Sequence, residues 1–153
     1  MRRIEYLELL ANLFQYKTIS DLKGNEYVLF ADNPLNSIEN VQDHTAFEAV
    51  ENHVHLISNM QKDDLQTCSQ IAEKIGQALL NNLHAWYPDK DFCVFVSFRY
   101  RDDMVIRFHQ SWANEAPYFD PHEFINEKVY MFASRTRRTG ESSVSRTGDG
   151  SMS

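Results

Sequence analysis

The chain reads as an α+β protein: a mainly antiparallel sheet with an N-terminal helix and one long central helix packed on it. Three observations predict this. Leu65, Cys68, Ala72, Ile75, Leu79, Leu83 and Trp86 recur at steps of three and four, the spacing of a helix with one apolar face. DFCVFVSF and MVIRFHQS, residues 91–98 and 104–111, alternate about the bend RYRDD as the arms of a hairpin do. The other apolar runs are only a few residues long, which suits short strands.

Taken in order, the first helix is expected over residues 3–16, with Ile4, Leu7, Leu10, Ala11 and Phe14 on its inner face. Glu5 and Glu8 interrupt this segment, and a secretory leader needs an unbroken apolar stretch. It is therefore read as an amphipathic helix of a cytosolic protein. Lys23, Gly24 and Asn25 make a turn into EYVLFA, residues 26–31, a short strand. DNPLNS at 32–37 is turn material, and Phe47 and Val50 in the segment after it suggest a short helix. HVHLIS at 53–58 is a second strand. Asp63 or Asp64 can cap the long helix by accepting its orphan amide protons, and Pro88 stops it. In the hairpin, Phe92, Val94, Val96 and Phe98 match Met104, Ile106 and Phe108, so that face lies on the core. EKVYMFAS, residues 127–134, is a final strand. From residue 135 onward one valine, one methionine and no aromatic occur, too little apolar surface to order a chain. Residues 1–134 are thus one globular domain, and 135–153 a disordered basic and polar tail.

A chain of 153 residues can bury a core without disulfides or a structural metal. Its two cysteines, Cys68 and Cys93, sit among apolar neighbours and are expected as buried thiols. No apolar run approaches the roughly 20 residues that cross a bilayer. Charge is more informative. The net is −7, and removing the +2 of the tail leaves −9 on residues 1–134. Between Lys23 and Lys62 no lysine or arginine occurs, while Glu26, Asp32, Glu39, Asp43, Glu48 and Glu51 all do. That field repels phosphate backbones, which argues against direct nucleic-acid binding, and it attracts a basic partner.

Two constellations invite chemistry. His53 and His55 stand two apart in a strand, so both imidazoles share one face. A metal there needs a third ligand, and nothing in the spacing selects among His44, Glu51 and His109, so no tightly held ion and no cofactor are expected. The second is IRFHQSWANEAPYFDP, residues 106–121. With Ile106 and Phe108 inward, Arg107 and His109 are expected on the outer face. Trp112, Glu115 and Tyr118 follow in a loop stiffened by Pro117 and Pro121. A histidine between an arginine and carboxylates can act as a general base. A hydrolase also needs a nucleophile or metal and an oxyanion donor, and with five glycines in the chain no Gly-rich turn offers one. Tryptophan, tyrosine and arginine together fit a recognition surface better. The plainer alternative is that Trp112 and Tyr118 fold back over the sheet with Arg107 paired to Glu115.

KGNEYVLFADNPLNSIE, NHVHLI and DFCVFVSFRYRDDMVIRFHQSWANEAPYFDP together resemble small cytosolic bacterial immunity proteins, which neutralise polymorphic or contact-delivered toxins. The resemblance extends in layout over most of residues 1–134 and implies an inhibitor without chemistry of its own. It and the charge agree on one expectation: an acidic binding protein that occludes the active site or substrate groove of a basic toxin domain, a nuclease. The contacts expected are Arg107, His109, Trp112, Glu115 and Tyr118, with Asp43, Glu48 and Glu51 steering the encounter. The alternatives are a small hydrolase or metal-dependent enzyme using His109 or the His53/His55 pair, and a non-catalytic regulatory or scaffold module.

Overall fold

The computed structural model describes residues 3–123 and 127–134; the tail expected from residue 135 lies outside them. The elements run α1 (Arg3–Leu13), β1 (Tyr16–Ser20), β2 (Glu26–Phe30), α2 (His44–Glu51), β3 (His53–Ile57), α3 (Leu65–Trp86), β4 (Phe92–Phe98), β5 (Met104–Gln110) and β6 (Lys128–Ala133). β1 and β2 form a two-stranded antiparallel hairpin. The other four strands make a sheet of order β3-β5-β4-β6, every neighbouring pair antiparallel. The α+β class, the N-terminal helix and the long central helix are as the sequence predicts.

α3 holds the core together. Cys68, Ala72, Gly76, Leu79, Leu80 and Leu83 form its buried stripe. They pack on Phe92, Val94, Val96 and Phe98 of β4 and on Met104, Ile106 and Phe108 of β5. Gly76 lets the helix approach β6, because a β carbon there would lie 2.2 Å from Cε2 of Phe132. Trp86, expected inward, is half exposed at the end of the stripe, its ring edge-on to Tyr16 at 5.3 Å. The expected aspartate cap takes a different form. A 3-10 turn at Lys62–Asp64 leads into the helix, and the Asp64 carboxylate accepts from the Gln61 amide at 3.3 Å instead of from the orphan amides. Cys68 and Cys93 are buried free thiols.

The N-terminal segment departs from expectation. α1 ends at Leu13, and a strand that the sequence reading missed begins three residues later. Tyr16 pairs with Phe30, stacks edge-on against Phe108 at 5.8 Å, and donates its hydroxyl to Asn82 Oδ1 at 2.7 Å. These tertiary commitments override the local helical pattern. They also set the rotation of α1, which turns Leu13 inward and keeps Phe14 half-buried against the core, but leaves Ile4, Leu7, Leu10 and Ala11 of the expected inner face in solvent. Ile4 and Leu7 are each 65% exposed and Leu10 48%.

The β1–β2 hairpin closes on Asp21. Its carboxylate accepts from the Lys23 and Asn25 amides at 2.9 and 3.0 Å and from the Tyr27 hydroxyl at 2.8 Å, while Gly24 supplies the left-handed turn residue (φ +84°). β2 is covered on both faces. Val28 and Phe30 belong to the main core, and Tyr27 and Leu29 join Ile19 in a second cluster with Phe47 and Trp112 against it.

The Gly76–Phe132 contact yields a test. Gly76→Ala is expected to cost about 1–3 kcal/mol of stability through overpacking, although alanine is the better helix former by about 1 kcal/mol. Denaturant unfolding measures it; a variant as stable as wild type would mean that the Phe132 ring yields freely.

Candidate functional site

The polar residues converge where α2 is wedged between β2 and β5. Glu48, expected on the acidic surface, is fully buried. Its Oε1 accepts from the Val28 amide at 3.0 Å and from Gln110 Nε2 at 2.6 Å. Its Oε2 accepts from the Gln110 amide at 2.5 Å and from Trp112 Nε1 at 3.2 Å. Burial pushes the carboxyl up to about 7, against the lowering pull of those donors. One turn on, the buried Asn52 accepts from the Phe30 amide at 3.0 Å and donates to the Val28 carbonyl at 2.8 Å. Its own carbonyl accepts from the Phe108 amide at 3.3 Å. Gln110 Nε2 also reaches the Glu26 carbonyl at 2.9 Å. Side chains of α2 and β5 therefore stand in for a strand between the two sheets.

The stretch 106–121 folds back over the outer face of the sheet. His109, expected outward, is 1% exposed. Its Nδ1 lies 2.6 Å from the Gln110 carbonyl, so Nδ1 carries the proton, and Nε2 accepts from the Tyr118 amide at 3.1 Å. Burial lowers its pKa, against the raising pull of the Gln110 carbonyl. Both nitrogens are occupied, so no lone pair is left to take a substrate proton. Arg107 is half-buried, with its guanidinium 5.3 Å from the Tyr118 ring centre and 5.1 Å from that of Phe119, and Nη1 3.3 Å from the Ala49 carbonyl. The expected outer face is thus covered by rings: Phe95 meets His109 and Phe119, and Tyr118 and Phe119 flank Arg107.

Glu115 pairs with His44, and not with Arg107 as the plainer alternative supposes. His44 Nδ1 lies 2.6 Å from Oε2, and Oε1 accepts from the Thr45 amide at 2.8 Å. Burial opposes ionisation of Glu115, but the Thr45 amide and His44 hold its carboxyl below the usual range. The His44 ring stacks on Trp112 at 4.7 Å. Asp43 caps α2 by accepting from the Ala46 amide at 2.8 Å, and stays exposed. Glu51 accepts from Asn33 Nδ2 at 3.0 Å at the far end of α2. A shallow depression of about 390 Å³ opens between Asp43 and Glu115 on one side and Pro117 and Tyr118 on the other.

Of the eight expected contacts, then, Glu48 and His109 are enclosed, and Arg107, Trp112, Glu115, Tyr118 and Glu51 are partly enclosed. Only Asp43 is freely exposed. Sequence reasoning missed Asn52 and Gln110 and weighed His44 only as a metal ligand; each sits between polar neighbours, so no apolar pattern sets it apart. His53 and His55 do share an exposed face, yet among the described residues no three histidine, cysteine or acidic side chains gather as metal ligands.

Glu48→Gln places an amide NH2 against two donors and is expected to cost about 1–3 kcal/mol per abandoned donor. The pH profile adds a sign. With the folded carboxyl raised from an ordinary 4.5 to about 7, the native chain holds a proton that the unfolded chain has released. Wild-type stability therefore falls as pH rises between those values and levels off above, and the glutamine variant lacks that slope. Denaturant titrations at several pH values measure both. His109→Ala, which orphans the Tyr118 amide, is expected to lower stability by about 1–3 kcal/mol; an unchanged melting temperature would return this histidine to the surface.

Comparison with protein families, with characterised proteins and with solved structures finds no match to this chain.

Proposed function

We propose that this is a non-catalytic acidic binding protein, acting in the cytosol, that neutralises a cognate toxin domain by occluding its active site or substrate groove. The partner's chemistry is that of a basic nuclease. The observation that carries the reading is the division of the carboxylates between interior and surface. Glu48 and Glu115 are consumed by internal hydrogen bonds, whereas Asp32, Glu39 and Asp43 are exposed and form no ion pair among the described residues. Lys90 meets Glu26 at 3.2 Å, and the Lys17 ammonium donates to the Asn33 carbonyl next to Asp32, so Glu39 and Asp43 carry most of the unopposed charge. Exposed like charges raise the encounter rate with an oppositely charged partner. The depression beside Asp43 and Glu115 has the sign to take a lysine or arginine from that partner. Catalysis finds less support, since both His109 nitrogens are engaged and the thiol opposite it on the ladder, Cys93, is buried, which pushes its pKa up. Among the described residues no helix is long and apolar enough to cross a membrane.

The test pairs surface charge with binding to a candidate toxin domain sought in the neighbouring reading frames. Asp32→Lys with Glu39→Lys is expected to slow association about tenfold at low salt and to flatten its salt dependence. Stability should stay within about 0.5 kcal/mol of wild type. Asp43→Asn keeps the helix cap while removing its charge, and should act in the same direction. Unchanged association rates, or no protection of cells expressing the toxin by the wild-type protein, would overturn the reading.

A further inference from the structure

We propose that His53 and His55 form a two-imidazole site for a divalent late transition ion, Cu(II) ahead of Zn(II), on the outermost strand of the four-stranded sheet. β3 ends the strand order, and both rings stand on its exposed face with centres 5.4 Å apart. What singles the pair out is the state of each ring. His53 Nδ1 lies 2.5 Å from the Val50 carbonyl, which can only accept, so this nitrogen carries the proton. His55 Nδ1 lies 2.7 Å from Asp103 Oδ2, and the other oxygen of Asp103 accepts from the Asn59 amide at 3.2 Å. Each imidazole is thus anchored through Nδ1 to a carbonyl or a carboxylate, with Nε2 as its remaining donor atom.

Metal-binding histidines are held in this way: the outer hydrogen bond fixes the tautomer, orients the ring and makes the free nitrogen more basic. Asp103 adds negative charge behind His55. The nearest cation across the ladder is Arg107, opposite His53, and its guanidinium is engaged by the Ala49 carbonyl and the Tyr118 and Phe119 rings. Two nitrogens leave the remaining positions on the ion to water. That makes a weak, exchangeable site, unlike the tightly held ion that the sequence argues against. Imidazole ligation and the order of divalent affinities favour copper.

Tag-free full-length protein, stripped with chelator, is titrated with Cu(II) by calorimetry and by electron paramagnetic resonance. One equivalent is expected to bind with micromolar affinity and to show nitrogen coupling from imidazole. His53→Ala and His55→Ala should each weaken binding by about tenfold or more, and Asp103→Asn by about 10–100-fold through loss of the outer bond. His122→Ala serves as the neutral control. A measurement on wild type alone guards against variants that fail to fold. Cu(II) should protect His53 and His55, but not His122, from diethyl pyrocarbonate, read by mass spectrometry. Binding that survives the His53→Ala/His55→Ala double substitution, equal modification with and without copper, or no binding at tens of micromolar overturns the site.

Discussion

The structure turns on the buried Glu48 carboxylate, which meets no counter-ion among the described residues. Removing Glu48 from water is costly unless hydrogen bonds replace those it loses. Here the replacements come from three places in the chain: the Val28 amide, the Gln110 backbone and side chain, and the Trp112 indole. None of these groups is near Glu48 in sequence, so the carboxylate is satisfied only when β2, β5 and the following loop have all reached their places. Asn52 repeats the logic one turn later with Val28, Phe30 and Phe108. Two sheets that share no ladder are joined through one short helix.

That junction also decides what the polar loop is for. Trp112 is drawn inward by Glu48, Glu115 is committed to His44 and the start of α2, and Tyr118 is tied by its amide to His109. The side chains that suggested catalysis are the ones that seal the outer face of the sheet. On the function proposed above, a partner would meet the carboxylate-bearing segment before α2 and the rim of the depression beside it. The acidic residues thus divide, with Glu48 and Glu115 engaged in internal hydrogen bonds and Asp32, Glu39 and Asp43 left exposed.

Much of the fold was legible in the sequence because α3 and the β4–β5 hairpin declare their periods openly. β1 was not. Its buried residues, Tyr16 and Ile19, are three apart, so no alternation marks a strand. α1 shows a helical stripe that the chain uses internally only at Phe14, since Leu13 and Tyr16 set its rotation. At the site, strand alternation placed Arg107 and His109 on the second face, but whether that face meets water depends on where residues 112–121 go. Glu48 looks like Glu51 in composition. The distinguishing signal is that Thr45, Glu48, Ala49 and Asn52 lie on one helical stripe and are all buried. A mixed polar stripe of this kind gives no hydrophobic period to read.

The way α2 and Gln110 meet β2 has a consequence for association. A strand paired on one side only offers its remaining amides and carbonyls to any extended peptide, the usual route to edge-to-edge aggregation. Among the outward groups of β2 are the Glu26 carbonyl, the Val28 amide and carbonyl and the Phe30 amide. Each is already bonded to the side chain of Gln110, Glu48 or Asn52. Side chains have no further backbone groups to pass on, so the ladder stops there. The polar junction therefore works as a terminator of sheet growth, protecting the most apolar strand of the hairpin from strand addition.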